Sequence, residues 1–271
     1  MNYRAIFAIV RKDLKVASQN KGVMVPIIVL TVVFFVLLPW LTRLLPLVEN
    51  MAGDSLNDIE KLLTRMPGGL QQDFSGLSLT QAMTVYVLKY MLAPMFLMIP
   101  ILVASVIAAD SFAGEKERKT LEALLYTPTT NRELFVAKLL SGWLAAIAVA
   151  WVGFVLYIVV ANAAAWSQLH RIFFPNAMWL VLILWAVPAI AGLGVGAMVL
   201  ASSRAQGFQD ANQLGGIVIL PLVALFYLQV AGVMYFNVIV AILMGLVIWL
   251  LTGLSIWLGS RIFQRNRLLA A

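Results

Sequence analysis

Six long apolar runs dominate this sequence and constrain what it can fold into. Each is about 20 residues or longer, the length that an α-helix needs to cross a hydrocarbon core about 30 Å thick. We place the runs at about residues 23–42, 84–109, 139–164, 177–201, 214–234 and 237–260. Backbone polar groups at that depth must be satisfied within the segment, so the runs predict helices. The predicted fold class is an all-α integral membrane protein with six transmembrane helices.

The composition agrees with this class. Hydrophobic residues make up 62% of the chain and charged residues 11%, whereas soluble domains carry about 25% charged residues. We therefore treat residues 1–271 as a single transmembrane domain. The chain has no cysteine and one histidine, which excludes disulfides, thiolate metal sites and histidine-based metal clusters. We predict neither a metal site nor catalytic residues in this chain.

The distribution of lysine and arginine predicts the orientation of the spans. Fourteen of the 19 basic residues fall on the side that holds residues 1–22, residues 110–138, Arg204 and the C-terminal end. The positive-inside rule therefore predicts a protein of the cell membrane with both termini in the cytoplasm. These residues flank membrane spans and are not interleaved with stacking aromatic residues. The net charge of +7 thus indicates topology, and we predict no nucleic-acid partner.

Residues 1–18 have the pattern of an amphipathic helix that lies at the membrane interface. One face carries Arg4, Arg11 and Lys15, and the other carries apolar side chains: Tyr3, Ile6, Phe7, Val10 and Leu14. Basic groups can contact anionic headgroups while apolar groups enter the acyl region, so the bilayer is a predicted partner. The alternative is a basic tail that only sets the topology.

The longest outside segment is the predicted outer loop at residues 43–83. Within it, Leu56, Ile59, Leu63 and Met66 share one helical face and predict a short amphipathic helix. Acidic residues alternate there with Lys61 and Arg65, as on a solvated helix face. We therefore interpret this loop as a structural cap and not as a carboxylate site.

The predicted membrane interior is almost free of charge. Lys89 is the exception, and it lies close enough to the outer boundary to extend its ammonium group towards solvent. Proton- or ion-coupled carriers place ionisable residues at membrane depth, and the spans lack that chemistry. Apolar walls favour an apolar or amphipathic substrate, but they do not identify one.

Glycine and proline shape the predicted spans. Gly192 and Gly196 have the spacing that lets two helices approach closely. Six prolines are expected to kink or locally open their helices: Pro26, Pro39, Pro94, Pro100, Pro188 and Pro221. Ordinary irregular packing is the alternative interpretation of these prolines.

The charged segment at residues 110–138 interrupts the apolar pattern on the cytoplasmic side. Leu121, Leu124 and Leu125 share one face of a predicted short helix, which Pro128 ends. The sequence from Thr130 to Glu133 has the form of a capping box, so the third span begins as a cytoplasmic helix before it enters lipid. A solvated loop of mixed charge is the alternative.

The same segment resembles the signature of the type-2 permease family of ABC transporters. The matching positions are Asp110, Glu115, Glu117, Thr120, Leu121, Glu122, Leu125, Pro128 and Lys138. The six spans, the N-terminal amphipathic helix and the large first outer loop resemble this family too, so the likeness covers essentially the whole chain.

The resemblance implies a function and partners. It implies a permease subunit of an ATP-driven exporter that forms a translocation path with a second permease chain, identical or different. The short helix would be a coupling helix that docks on a separate ATP-binding subunit, which would bind ATP and Mg²⁺. The implied docking residues are Glu115, Glu117, Arg118, Thr120, Leu121, Glu122, Leu124 and Leu125, with a weaker contact at Arg204, Gln206 and Gln213 of the second cytoplasmic loop.

The chain has no GxxxxGK[ST] sequence, so we do not expect it to hydrolyse ATP itself. Two other hypotheses stay open at this point. One is a secondary carrier or channel, and the other is a membrane scaffold or assembly factor that does not transport.

Overall fold

The computed structural model describes residues 2–49, 71–118, 129–205 and 207–262, which contain helices and no β-strand. Seven long helices form this part of the chain: α1 Tyr3–Gln19, α2 Lys21–Leu47, α3 Leu79–Glu117, α4 Asn131–Leu169, α5 Ala177–Ser202, α6 Phe208–Val230 and α7 Val238–Ile262. A short 3-10 turn, Gln72–Phe74, precedes α3. The amphipathic helix predicted around Leu56–Met66 lies outside the described residues.

Helices α2 to α7 are long and apolar enough to cross a membrane, which confirms the predicted number of six spans in the described part of the chain. Several of them extend past the predicted apolar runs, because capping residues and not hydropathy set their ends. Helix α3 begins after Ser78, which forms a capping box with Gln81. Helices α3 and α4 have 39 residues each, or about 58 Å, roughly twice the thickness of a hydrocarbon core. Both therefore project well beyond the bilayer.

Helices α3 and α5 form the centre of the bundle. In their most apolar stretches, 72% and 61% of the residues are buried within the chain, against 22% in α2, 17% in α6 and 28% in α7. Helix α5 packs against both α3 and α7, and α4 packs against α3. The outward faces of α2, α6 and α7 carry large apolar side chains, as expected of helices that face lipid or another chain.

The two glycines that the sequence predicts at a packing surface lie where α5 meets α7. A Cβ atom added at Gly192 would lie 2.6 Å from Cγ2 of Thr252, and one at Gly196 would lie 2.3 Å from Oγ of Ser255. Neither site has room for a side chain without movement of α7. The missing side chains thus allow α5 and α7 to approach closely.

Four of the six prolines that the sequence analysis names follow a change of helix type. Three π-helical turns contain the residue four positions before a proline: Val33–Leu37 before Pro39, Val87–Met91 before Pro94, and Leu182–Ala186 before Pro188. A 3-10 turn, Gly216–Ile219, precedes Pro221 in the same way. Proline has no N–H, so the carbonyl four residues earlier loses its α-helical partner and the local turn changes.

Neighbouring helices satisfy carbonyl groups of the widened turn in α3. The hydroxyl of Tyr157 donates to the carbonyl of Leu88 at 2.5 Å, and the indole N–H of Trp179 donates to the carbonyl of Lys89 at 2.7 Å. Both donors are fully buried. Side-chain donors from adjacent helices therefore replace bonds that a regular helix would make, as membrane depth requires.

Lys89 corrects one expectation from the sequence. It does not extend alone to the outer boundary, because its side chain is only 10% exposed and its Nζ lies 2.5 Å from Oδ2 of Asp73. Tyr90 donates to the same carboxylate oxygen. The countercharge comes from the 3-10 turn before α3, which sequence patterns did not place beside the lysine. The ion pair ties the end of the outer segment to α3.

Candidate functional site

A group of charged and hydroxyl side chains, most of them buried, lies where α1, α3 and α4 meet. We call it the charge cluster, and it consists of Lys12, Asp13, Asp110, Ser111, Glu115, Arg118, Lys138 and Ser141. The cluster lies at the end of the bundle that the sequence predicts to face the cytoplasm, which we call the inner end. Its three cations and three carboxylates balance to a formal charge of zero, which favours burial.

Glu115 joins three helices through one carboxylate. Its Oε1 accepts from Nζ of Lys12 on α1 at 2.5 Å, and its Oε2 accepts from Nζ of Lys138 on α4 at 2.5 Å. The side chains of Glu115 and Lys138 are 8% and 0% exposed. Removing one partner of such a pair would leave an uncompensated buried charge, so the geometry favours keeping all three helices together.

The hydroxyl groups of Ser111 and Ser141 bond to Asp13 within the charge cluster. Oδ2 of Asp13 accepts from the hydroxyls of Ser111 at 2.9 Å and Ser141 at 3.4 Å. Oδ1 of Asp13 lies 3.0 Å from Nζ of Lys12, an ion-pair contact without hydrogen-bond geometry. Lys138 also donates to the carbonyl oxygen of Ser111 at 2.5 Å and to its hydroxyl at 3.1 Å. These bonds connect α1, α3 and α4 independently of Glu115.

Asp110 contributes a third carboxylate to the charge cluster. Its Oδ1 accepts from Nη1 of Arg118 at 3.0 Å. It also accepts from the side-chain amide, Nδ2, of Asn20, which lies between α1 and α2, at 3.5 Å. The Arg118 side chain is 45% exposed, so this ion pair is the one that water screens most.

The ion pairs keep Lys12 charged. Burial by itself lowers the pKa of an ammonium group, but the hydrogen bond from Lys12 to Glu115 and the charges of Asp13 and Glu115 outweigh it. The net effect raises the pKa of Lys12 above its ordinary value. Lys12 therefore contacts Glu115 as an ammonium group at neutral pH.

A π-helical turn in α3, Asp110–Gly114, carries two members of the cluster. Unlike the π turns above, it has no proline four residues after any of its positions. A π turn contains an extra residue, so it rotates the residues that follow by about 100° relative to a continuous α-helix. Glu115 comes directly after it. Such turns occur frequently at functional sites.

A second connection between α1 and α4 lies beside the charge cluster. Thr130 and Glu133 form the predicted capping box, which the structure confirms: Thr130 N–H donates to Oε2 of Glu133 at 2.9 Å, and Glu133 N–H donates to the Thr130 hydroxyl at 3.3 Å. The backbone N–H of Asn2 donates to Oε1 of Glu133 at 2.5 Å. One carboxylate thus caps α4 and holds the start of α1.

Glu117 links the end of α3 to the second inner loop. Its Oε2 accepts from the backbone N–H of Phe208 at 2.9 Å, the first residue of α6. Helix α6 has no cap from its own Gly207, and a Cβ at Gly207 would lie 2.7 Å from the same Glu117 oxygen. A carboxylate at a helix N-terminus also complements the helix dipole. Two segments that the sequence predicts as docking elements are therefore in contact.

The structure distributes the predicted docking residues differently. Glu115 is buried inside the charge cluster instead of facing outward, because the π turn directs it towards Lys12 and Lys138. Glu117, Arg118, Arg204 and Gln213 are exposed. The remaining predicted residues lie outside the described part of the chain: Thr120, Leu121, Glu122, Leu124, Leu125 and Gln206.

Helix α1 differs from the two-faced pattern expected at the interface. Ile6 and Val10 are buried against Leu134 and Ala137 of α4. Phe7 is 70% exposed, on the side that carries the exposed basic residues Arg4, Arg11 and Lys15. The apolar face is thus divided, because α4 covers one part of it and leaves Tyr3 and Phe7 uncovered.

Sequence reasoning missed several members of the cluster as site residues. Asp13, Ser111, Lys138 and Ser141 pair across 27 to 128 positions of the sequence. One residue could have indicated the cluster: Asp13 is the one acidic residue in residues 1–22. A lone carboxylate on a basic helix indicates an interaction with a polar group elsewhere in the chain.

A comparison with known protein families identifies the family of this chain. Residues 7–270 match the model of the family described as ABC-2 family transporter protein. A search of curated proteins finds no match to this sequence. The family match covers all six candidate spans and the charge cluster. The chain therefore belongs to the ABC-2 transporter family and is a membrane permease of an ABC transporter.

Proposed function

We propose that this chain is the permease of an ATP-driven exporter and couples to a separate ATP-binding subunit through residues 110–138. The observation that carries the proposal is the ion-paired bridge from Lys12 through Glu115 to Lys138. It connects α1 to both stretches of chain, 110–118 and 129–138, that flank the predicted docking helix. Force applied to that helix would reach all three elements together.

The cluster suggests how movement enters the bundle. A partner that shifts the segment between Arg118 and Thr129 pulls on the inner ends of α3 and α4, which Glu115 and Lys138 hold in fixed register. Both helices are long and project beyond the bilayer. Both helices transmit this movement along their length towards the membrane. The π turn Asp110–Gly114 is a point in α3 where the hydrogen-bond pattern can change.

The work comes from the partner. ATP and Mg²⁺ are bound there, since the sequence of this chain has no phosphate-binding GxxxxGK[ST] loop. The exposed groups at Glu117, Arg118 and Gln213 supply further docking contacts. The hydrogen bond from Phe208 N–H to Glu117 links the end of α3 to the start of α6, so these two inner segments move together.

A second permease chain completes the transporter. The weakly buried helices α2, α6 and α7 expose apolar faces that suit lipid and a neighbouring chain. With both termini in the cytoplasm, α1 lies beside the inner leaflet, where Arg4, Arg11 and Lys15 contact anionic headgroups and Phe7 enters the acyl region.

Co-purification tests the docking step. Replacing Leu121, Leu124 and Leu125 with aspartate is expected to abolish association with the ATP-binding subunit, because three charges would enter an apolar contact. The matched control replaces the same leucines with methionine, which keeps an apolar surface of similar volume. Undiminished association of the aspartate variant would contradict the docking assignment.

Transport needs a separate measurement. Inside-out vesicles that contain the permease and its ATP-binding partner are expected to take up an amphipathic substrate only when ATP is present. Flux driven by an ion gradient without the partner would identify a carrier instead. No flux and no substrate-dependent change in ATP hydrolysis would identify a scaffold.

A further inference from the structure

A long apolar cleft runs between α6 and α7, with α3 and α5 behind it. Its volume is about 710 Å³, within the range of about 300–1,000 Å³ that small-molecule sites occupy. The α7 residues that line it run from Met244 to Leu258, a helical rise of about 21 Å. This length fits within a hydrocarbon core of about 30 Å.

The lining of the cleft selects for an alkyl chain. Among the described residues that line it, Ser255 is the only polar one, and its hydroxyl already donates to the carbonyl of Thr252 at 3.0 Å. Among the described side chains that line the cleft, only the lone pairs of the Ser255 hydroxyl remain for a polar ligand, so a polar occupant would lose most of its hydrogen bonds to water without replacement. An alkyl chain has no such cost.

The lining stripe of α7 ends in a positive charge at the inner end. Its residues follow spacings of three and four: Met244, Val247, Leu251, Leu254 and Leu258. The next position in that pattern is Arg261, which is exposed and lies 3.8 Å above the ring of Trp257. Tryptophan and arginine together are typical of the membrane–water interface.

Helix α5 repeats this arrangement. Leu193 and Leu200 line the cleft, and Arg204 follows Leu200 by four residues, just past the end of the helix. Arg204 is exposed. Two helices that line the apolar cleft thus each continue to an exposed arginine at its inner end, and this charge is complementary to an anionic headgroup.

We infer that the cleft binds one alkyl chain of an anionic phospholipid from the inner leaflet, with the phosphate held by Arg204 and Arg261. The inference rests on the orientation in the proposed function and adds a lipid site to it. A helix from a second chain is the alternative occupant, and the cross-linking experiment below distinguishes the two.

Photolabelling of the full chain in lipid nanodiscs tests the site. The probes are phosphatidylglycerol and phosphatidylcholine that carry the same photoreactive acyl chain, and mass spectrometry locates the labelled peptides. Phosphatidylglycerol is expected to label the cleft-lining peptides of α6 and α7 more strongly. Arg204→Gln and Arg261→Gln should each lower that labelling about 5-fold, the effect of one basic residue near an anionic surface. Arg171→Gln, an exposed arginine between α4 and α5 at the other end of the bundle, is the control and should change nothing.

A matched pair on α7 tests the cleft itself. Leu251→Trp places a large ring in the cleft and is expected to remove most of the labelling, whereas Leu250→Trp changes a neighbouring residue that is 67% exposed and does not line the cleft. Equal labelling by both lipids, or equal labelling of the two tryptophan variants, would overturn the inference. So would a disulfide between two Leu251→Cys chains, which would place a second copy in the cleft. The assay contains neither ATP nor the partner, so its outcome is independent of the docking experiment.

Discussion

Replacing Lys138 with methionine is the sharpest perturbation of the charge cluster. The Lys138 side chain is 0% exposed and that of its partner Glu115 is 8% exposed. Water therefore screens the interaction between these two charges very little. Breaking a buried pair by removing one partner costs about 3–5 kcal/mol of unfolding free energy. Lys12 remains 2.5 Å from the other oxygen of Glu115 and still compensates part of the charge. We therefore expect a loss near the lower end of that range, about 3 kcal/mol.

The assay is reversible unfolding in mixed micelles, followed by circular dichroism. Arg118→Met is the matched control: its ion pair with Asp110 has a 45% exposed cation and should contribute about 1 kcal/mol or less. The double variant Glu115→Met/Lys138→Met should be more stable than Lys138→Met alone, because it buries no carboxylate that has lost one of its two partners. A loss in Lys138→Met no larger than that in Arg118→Met would refute the reasoning.

Three further predictions concern the caps and the helix contacts. Gly192→Ala should destabilise the bundle by about 1–3 kcal/mol through its clash with Thr252, whereas Gly253→Ala, with open space around it, should not; equal thermal stabilities would contradict the packing assignment. Thr130→Val removes the α4 cap and should cost about 1 kcal/mol in the same unfolding assay, so an unchanged midpoint would argue against the cap. Glu117→Ala should speed amide exchange at Phe208 about 5-fold, since one hydrogen bond is lost; unaltered exchange would show that the bond is absent in solution.

Local patterns in the sequence were enough to predict much of the architecture. Six apolar runs predicted six spans, and the Thr130 capping box predicted where α4 begins, because both depend on residues within a few turns of each other. Hydropathy underestimated the lengths of α3 and α4, since it detects the lipid-facing stretch and not the polar extension of the same helix.

The interior of the candidate site could not be predicted in this way. Glu115 faces Lys12 and Lys138 because the π turn at Asp110–Gly114 rotates the chain after it, and no proline marks that turn in the sequence. The pairing of Asp13 with Ser111 and Ser141 joins residues 98 and 128 positions apart. Such pairs follow from how the helices pack, which periodicity within one helix does not contain.

The most direct test of the account is a spin-label distance measured across the bundle in the assembled transporter. The chain has no cysteine, so labels at Phe7→Cys on α1 and Leu220→Cys on α6, both exposed residues, are unique within it. Labelled chains are diluted with unlabelled ones so that one intrachain distance is observed. If the charge cluster transmits movement, the distance changes between the ADP-bound and ATP-trapped states in the wild type. In Lys138→Met the ATP-binding subunit still binds but the change in distance is smaller, because the bonds of Asp13 to Ser111 and Ser141 still join α1 to α3 and α4; the same change in both proteins would contradict the account.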